Sequence, residues 1–199
     1  MIAEPVEKIP AVELTRHRFS VEEYLRLAET GILTEDDAVE LLRGEIIEMS
    51  PINVAHASTV NRLIQLLAKK VGEQAILSVQ NPLQINQESL LQPDVTLLRP
   101  REDFYSVGHP GPEAVLLLIE VADSSILYDR AAKARLYAAA GVVDYWIINL
   151  LARQIEVYRE PQPDGYRMTI RYTPGESLLC LAFPDIAFNV DDIIGPPSE

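Results

Sequence analysis

The apolar run VLLLIEV at residues 115–121 decides the fold. Its length and composition are typical of a β-strand that is covered on both faces. Residues 128–140 follow with a helical pattern that stops at Gly141, and VDYWIIN at 143–149 is the next predicted strand. This order of strand, helix and strand predicts a sheet with helices packed against it.

The segment before this unit contains two shorter predicted elements. Ser20 is a good N-cap and Glu23 stands where a capping box requires it, so a short helix is predicted that ends before Gly31. The sequence AVELLRGEIIEM at 38–49 predicts a β-hairpin with Gly44 in its turn. A continuous helix is the alternative for 38–49, because its apolar residues also follow three-to-four spacing.

Apolar patterning predicts the other elements. They are a helix over 57–71, strands over 75–80, 93–98, 154–158 and 166–172, and a turn over 159–165. The sequence therefore predicts an α/β sandwich with a mixed β-sheet flanked by helices. We expect a loosely ordered lead-in at 1–18, one domain over 19–194 and a short tail at 195–199.

Composition limits the location and the partners of this protein. The chain has 199 residues, a net charge of −13 and a pI of about 4.6, which weighs against a broad basic face for nucleic acid. We find no transmembrane run or signal-peptide pattern and expect a cytoplasmic protein without membrane contact. The single cysteine, Cys180, lies in the apolar sequence SLLCLAF and is predicted to be a buried thiol.

Two carboxylates lie at or within apolar segments that are predicted to be buried in the core. Asp94 opens the strand PDVTLL, and Glu120 lies inside the apolar run. Burying an unpaired carboxylate costs several kcal/mol, so a divalent metal ion is the predicted partner, with the backbone carbonyl of Ala122 as a third ligand. The alternatives are a turn role for Asp94 and a solvated or ion-paired Glu120.

Lys133 is the candidate cation beside these acids. It lies on the predicted helix, with Asp129 and Tyr137 four residues to either side on one face. A lysine that reaches into the site could orient a water molecule or stabilise developing negative charge. An ordinary Asp129–Lys133 surface ion pair is the alternative.

The ordered combination of these residues resembles the Uma family of restriction endonucleases, which have the PD-(D/E)XK, restriction-endonuclease-like fold. The resemblance spans about 19–192, and it rests on Pro93-Asp94, the segment EVADSS at 120–125, Asp129, Lys133, Tyr137, Gly141 and Asp144-Tyr145-Trp146. It implies that Asp94 and Glu120 bind Mg²⁺ or Mn²⁺ and that the protein hydrolyses phosphodiester bonds of nucleic acid, which we expect to be DNA.

This sequence departs from the superfamily pattern at one position. Ala122 stands where the strand lysine is expected, and the resemblance implies that Lys133 supplies the amine from the following helix. Glu40 resembles an acidic residue that the superfamily adds to the metal site, with Glu45 as the competing choice. His56 also matches a frequent family position, where a capping or structural role is the alternative.

Two broader hypotheses concern the assembly and the function of the protein. Nucleases of this kind often pair to cut two strands, so we expect a homodimer. The alternative function is a catalytically silent module with the same fold that acts through protein contacts.

Overall fold

The computed structural model describes residues 15–34 and 36–196. Most of the predicted lead-in and the last three residues of the predicted tail lie outside these ranges. Within them the strands are β1 (Val39–Leu42), β2 (Glu45–Glu48), β3 (Ile76–Val79), β4 (Leu83–Asn86), β5 (Ser89–Leu91), β6 (Val95–Leu98), β7 (Val115–Ala122), β8 (Asp144–Asn149), β9 (Gln154–Gln162), β10 (Gly165–Tyr172), β11 (Ser177–Cys180) and β12 (Phe183–Asn189).

The helices of the same part of the chain are α1 (Val21–Glu29), α2 (Val54–Val71), α3 (Ile126–Tyr128), α4 (Ala134–Ala139) and α5 (Val190–Ile194). A π turn at Asp129–Lys133 joins α3 to α4, so 126–139 is one continuous helical stretch. Across the described residues, the helices are all too short or too polar to span a membrane.

A six-stranded mixed sheet forms the centre of the fold, in the order β10-β9-β8-β7-β6-β3. Strands β7 and β8 are parallel and the other neighbours are antiparallel, so the predicted mixed sheet flanked by helices is confirmed. A second sheet has the order β2-β1-β5-β4, and β11 pairs with β12 as a separate hairpin.

Alternation along each strand divides the core into two layers. Ile119 and Trp146 belong to the layer under α2 and α5, whereas Leu118, Tyr145 and Tyr137 belong to the layer under the 126–139 helix. The adjacent aromatic residues Tyr145 and Trp146 therefore point to opposite faces of the sheet, and both are fully buried. Glu120 shares the face of Leu118, which directs its carboxylate toward the 126–139 helix.

The capping box of Ser20 and Glu23 is present at the start of α1. The predicted hairpin is also confirmed, because Leu42 pairs with Glu45 around a turn in which Arg43 and Gly44 both have positive φ. A Cβ at Gly44 would lie 2.6 Å from Cβ of Arg18, so this turn requires glycine for space as well as for φ.

Several predicted boundaries were wrong. Helix α2 begins at Val54, three residues before the predicted start, because Asn53 accepts a hydrogen bond from the His56 amide as its N-cap. Strand β9 continues to Gln162, so the turn predicted over 159–165 is mostly strand. Strands β4, β5, β11 and β12 and helix α5 were not predicted.

Candidate active site

A cavity of about 620 Å³ opens where the β1–β2 hairpin, the start of α2, the ends of β6 and β7, and the 126–139 helix meet. Its lining contains six carboxylates and one lysine, namely Glu40, Glu48, Asp94, Glu120, Asp123, Asp129 and Lys133. The structure thus brings four predicted site residues, Asp94, Glu120, Lys133 and Glu40, to one cavity. The pairing of Val95 with Ile119 sets Asp94 beside Glu120 at the ends of β6 and β7.

Glu120 and Lys133 form a buried ion pair. Lys133 Nζ lies 3.0 Å from Oε1 of Glu120, and the Tyr137 hydroxyl donates to the same oxygen at 2.8 Å. Burial raises the pKa of Glu120 to about 8, and nearby carboxylates add to this effect while Lys133 opposes it. For Lys133 itself, burial lowers the pKa, but Glu120 and other carboxylates outweigh burial and raise it, so the amine is charged at neutral pH.

Asp94 is held from several directions. Its Oδ2 accepts hydrogen bonds from the Val121 amide at 2.8 Å and lies 3.0 Å from Nε2 of His56, while its Oδ1 accepts from the Gln80 side chain at 3.2 Å. The His56 contact raises the pKa of the imidazole, because a carboxylate favours the charged ring. These donors fix the carboxylate at the start of β6.

Glu40 is the acid of the hairpin that reaches the cavity. It is 1% exposed, accepts a hydrogen bond from the Tyr128 hydroxyl at 2.9 Å and lies 3.6 Å from Lys133 Nζ. Glu45, the competing choice, is exposed near the turn and pairs with Arg18 at 3.6 Å. The geometry therefore favours Glu40 over Glu45 as a member of the cluster.

Asp129 and Lys133 are both buried, so their contact of 3.8 Å belongs to the cavity and not to the protein surface. Oδ2 of Asp129 also accepts from the Ser125 hydroxyl at 2.7 Å. Burial raises the pKa of Asp129, partly opposed by Lys133. Lys133 thus lies among three carboxylates, which explains why its own burial is tolerated.

Ala122, which was predicted to offer its backbone carbonyl, is not part of the cavity lining. Its carbonyl oxygen accepts a hydrogen bond from the Leu150 amide at 2.9 Å, on the side of β8. The neighbouring residue Val121 does line the cavity, and its amide points to Asp94. Val121, and not Ala122, therefore supplies the backbone group that contacts Asp94.

The family model described as "Putative restriction endonuclease", named Uma2, matches residues 21–191. The chain belongs to the Uma2 family. The resemblance to this family that the ordered sequence motifs indicated is thereby confirmed. No curated protein matches this Uma2 sequence.

A solved structure similar to this Uma2 protein is described as a putative nuclease belonging to DUF820 from Anabaena variabilis ATCC 29413. The two chains are 16% identical with a TM-score of 0.67, and the match covers 88% of this chain and 97% of that chain. At this level of identity, the likeness shows a shared fold.

The donor chemistry of the Uma2 site fits a hard divalent cation. Lys133 and Tyr137 both donate to Oε1 of Glu120, so among the described groups Oε2 accepts no hydrogen bond. Carboxylate oxygens in excess over one lysine favour a cation with oxygen ligands. Among residues 15–34 and 36–196, no three His, Cys, Asp or Glu side chains are arranged to hold a metal ion. A metal site made of two carboxylates and one backbone carbonyl would not require a third side-chain ligand.

Sequence reasoning missed two contacts in this Uma2 site. Gln80, which has a φ of 49°, holds Asp94, and Tyr128 holds Glu40. The residue before Gln80 pairs with the residue after Asp94, so the register of β3 against β6 would have indicated the first contact. Side-chain oxygens of Tyr128 and Glu40 meet across 88 residues of sequence, and no local pattern indicates that contact.

Proposed function

We propose that this Uma2 protein is a metal-dependent endonuclease that hydrolyses phosphodiester bonds of DNA. The observation that carries the proposal is the Lys133 amine, 3.0 Å from Glu120, in a cavity that Asp94 and Glu40 also line. A charged amine beside carboxylates with free oxygen lone pairs is a set of groups that metal-assisted phosphodiester hydrolysis can use.

Asp94 and Glu120 would hold Mg²⁺ or Mn²⁺, with the Val121 carbonyl as the third protein ligand. In an extended strand the N–H and C=O of one residue lie on the same edge, and the Val121 amide already points to Asp94. When bound, the ion supplies Lewis acidity and neutralises charge on the phosphate and the leaving oxygen. His56 and Gln80 keep the Asp94 carboxylate fixed while the substrate enters.

Lys133 would act as a cation and not as a base, because its pKa is raised by the surrounding carboxylates. Its ammonium group can donate to the attacking water and to a phosphate oxygen while it stays bonded to Glu120. Glu40 and Asp129, at 3.6 and 3.8 Å from the amine, keep the proton on Lys133. The Tyr137 hydroxyl donates to the same Glu120 oxygen and also restrains that side chain.

Cleavage of supercoiled DNA, single-stranded DNA and RNA with Mg²⁺ or Mn²⁺ tests this proposal. We expect Asp94→Asn, Glu120→Gln and Lys133→Met to lower the cleavage rate at least about 100-fold, as loss of one charged group in an active site does. The hairpin offers a matched pair of variants: Glu40→Gln is expected to lower the rate, whereas the exposed Glu45→Gln is expected to leave it unchanged.

Circular dichroism of each variant must show a folded protein. Absence of cleavage of all three substrates with either ion would refute the proposal, as would Asp94 and Glu120 variants that cut as fast as the parent. The alternative, a silent module with a nuclease fold, would then account for the protein. Light scattering tests the predicted homodimer separately, because paired active sites are needed only for cutting both strands.

A further inference from the structure

The π turn at Asp129–Lys133 is an unusual element inside the helix that carries the lysine. The Ala134 amide donates to the Asp129 carbonyl five residues earlier, whereas α3 and α4 on either side have α-helical geometry. Single π turns within α-helices are rare overall, but those that occur are often found at functional sites. The proposed function uses Lys133 but does not explain why the helix widens at this point.

The wide turn changes which residues share a face. In an α-helix of 3.6 residues per turn, residues five apart are separated by about 140° around the axis. Hydrogen bonding between residues five apart brings such residues to nearly the same face. Tyr128 and Lys133 are five apart, and Lys133 Nζ lies 5.5 Å from the centre of the Tyr128 ring.

Both residues reach the same oxygen of Glu40. The Tyr128 hydroxyl donates to Oε1 of Glu40 at 2.9 Å, and Lys133 Nζ lies 3.6 Å from that atom. A regular α-helix that kept Lys133 on Glu120 would turn Tyr128 away from Glu40. The π turn therefore lets one helix hold the acid of the hairpin and the acid of β7 at the same time.

A hydrogen bond from Tyr145 stabilises the π turn. This residue is fully buried in β8, and its hydroxyl donates to the Asp129 carbonyl at 3.3 Å. The same carbonyl receives the Ala134 amide that closes the π turn. In an α-helix, Asp129 would instead accept from the Lys133 amide. A second donor from the sheet compensates for the weaker geometry of the wide turn.

We propose that the π turn is a positioning element of the active site, with Tyr145 and Tyr128 as its positioning residues. Tyr145 holds the Asp129 carbonyl, the turn directs Tyr128 and Lys133 to one face, and these two side chains hold Glu40 beside Glu120. The kinetic part of this inference rests on the proposed endonuclease activity. The placement of Lys133 does not.

Tyr145→Phe and Tyr166→Phe form a matched pair that tests the inference. The Tyr166 hydroxyl donates to the Val142 carbonyl at 2.8 Å, and its ring lies 6.0 Å from that of Tyr145, so each variant loses one hydrogen bond to a carbonyl within one aromatic cluster. The first measurement is the acetylation rate of Lys133 by an amine-reactive reagent, read by peptide mass spectrometry. The second is cleavage kinetics.

In the parent, Lys133 is 7% exposed and ion-paired, so its acetylation is slow. We expect Tyr145→Phe to raise that rate about 10-fold and to lower kcat about 10- to 100-fold with KM within about twofold, because small displacements of a catalytic group carry losses of this size. Tyr166→Phe is expected to match the parent in both. Acetylation of the exposed Lys69 should be the same in all three proteins.

Deletion of the exposed Ala131 perturbs the π turn more strongly than Tyr145→Phe does. It removes the residue by which the π turn exceeds an α-helical turn, and it rotates the preceding residues by about 100° relative to α4. Acetylation of Lys133 that is equal in Tyr145→Phe and Tyr166→Phe would overturn the inference, whatever becomes of the deletion variant. Equal losses of kcat in the two tyrosine variants would overturn it as well. A parent that cleaves nothing would refute the proposed function, and the acetylation comparison would still decide this inference.

Discussion

Lys133→Met should lower stability more than any surface lysine substitution, because it removes the cation from a cluster of buried carboxylates. The amine lies 3.0 Å from Glu120, 3.6 Å from Glu40 and 3.8 Å from Asp129. Removal of one partner from a buried ion pair costs about 3–5 kcal/mol. For a chain of this length, each kcal/mol corresponds to about 2–4 °C, so we expect Tm to fall by about 6–20 °C.

The loss should depend on pH in a defined direction. Without Lys133, the pKa of Glu120 should rise above its present value of about 8, since the lysine is the group that opposes burial. A carboxyl group with a raised pKa in the folded state is destabilising above that pKa, and the penalty fades as the pH falls toward the ordinary value near 4.5. The free energy of unfolding of Lys133→Met should therefore fall further below that of the parent at pH 9 than at pH 5.5.

Urea unfolding followed by circular dichroism at both pH values measures this deficit, with the exposed Lys69→Met as the control. The control should change the free energy of unfolding by less than about 0.5 kcal/mol. A deficit for Lys133→Met below about 1 kcal/mol at pH 9, or one that grows as the pH falls, would refute the electrostatic account of the cluster.

Three further predictions concern other parts of the molecule. Burial raises the pKa of Glu156, but hydrogen bonds from Arg130 and other donors outweigh burial and lower the pKa to about 2. The free energy of unfolding should therefore fall by about 2–3 kcal/mol as the pH falls from about 4.5 toward 2. Acid titration of Glu156→Gln should show a smaller loss of stability. Gly44→Ala should cost more than about 1 kcal/mol in urea unfolding, and more than Gly31→Ala, since both glycines have positive φ but an added Cβ would meet an atom within 4 Å only at Gly44. Mn²⁺ at 100 times its Kd should stabilise the parent by about 2.7 kcal/mol in a thermal shift measurement, and no shift in the parent, or the same shift in Asp94→Asn, would argue against Asp94 as a ligand.

Local rules predicted the parts of the fold that depend on neighbouring residues. The capping box at Ser20 predicted α1, and the glycine at position 44 predicted the hairpin turn. The nearly unbroken apolar run predicted β7 at the centre of the sheet, where both faces are covered. Glu120 stood out for the same reason, because a carboxylate in such a run needs a partner.

Features that depend on distant pairing could not be predicted. Glu40 and Glu45 lie on the same face of the hairpin, because Glu45 is opposite Leu42 and Leu42 shares a face with Glu40. The end of the hairpin that meets the cavity decides between them, and that depends on packing against the 126–139 helix. The π turn is equally hidden, since four-residue spacing of Asp129 and Lys133 also fits an α-helix.

Packing explains why the amine beside Glu120 belongs to the 126–139 helix and not to strand β7. Position 122 shares a face with Glu120, and Ala122 is fully buried in the layer that also contains Tyr137. A lysine at 122 would have to place its chain where the overlying helix already packs, and overpacking of a core costs about 1–3 kcal/mol. The helix that fills this space lies directly above Glu120, so its own residue 133 can supply the amine from the other side. The small residue at 122 and the lysine at 133 are therefore two parts of one arrangement, in which the helix packs over Ala122 and places its amine beside Glu120.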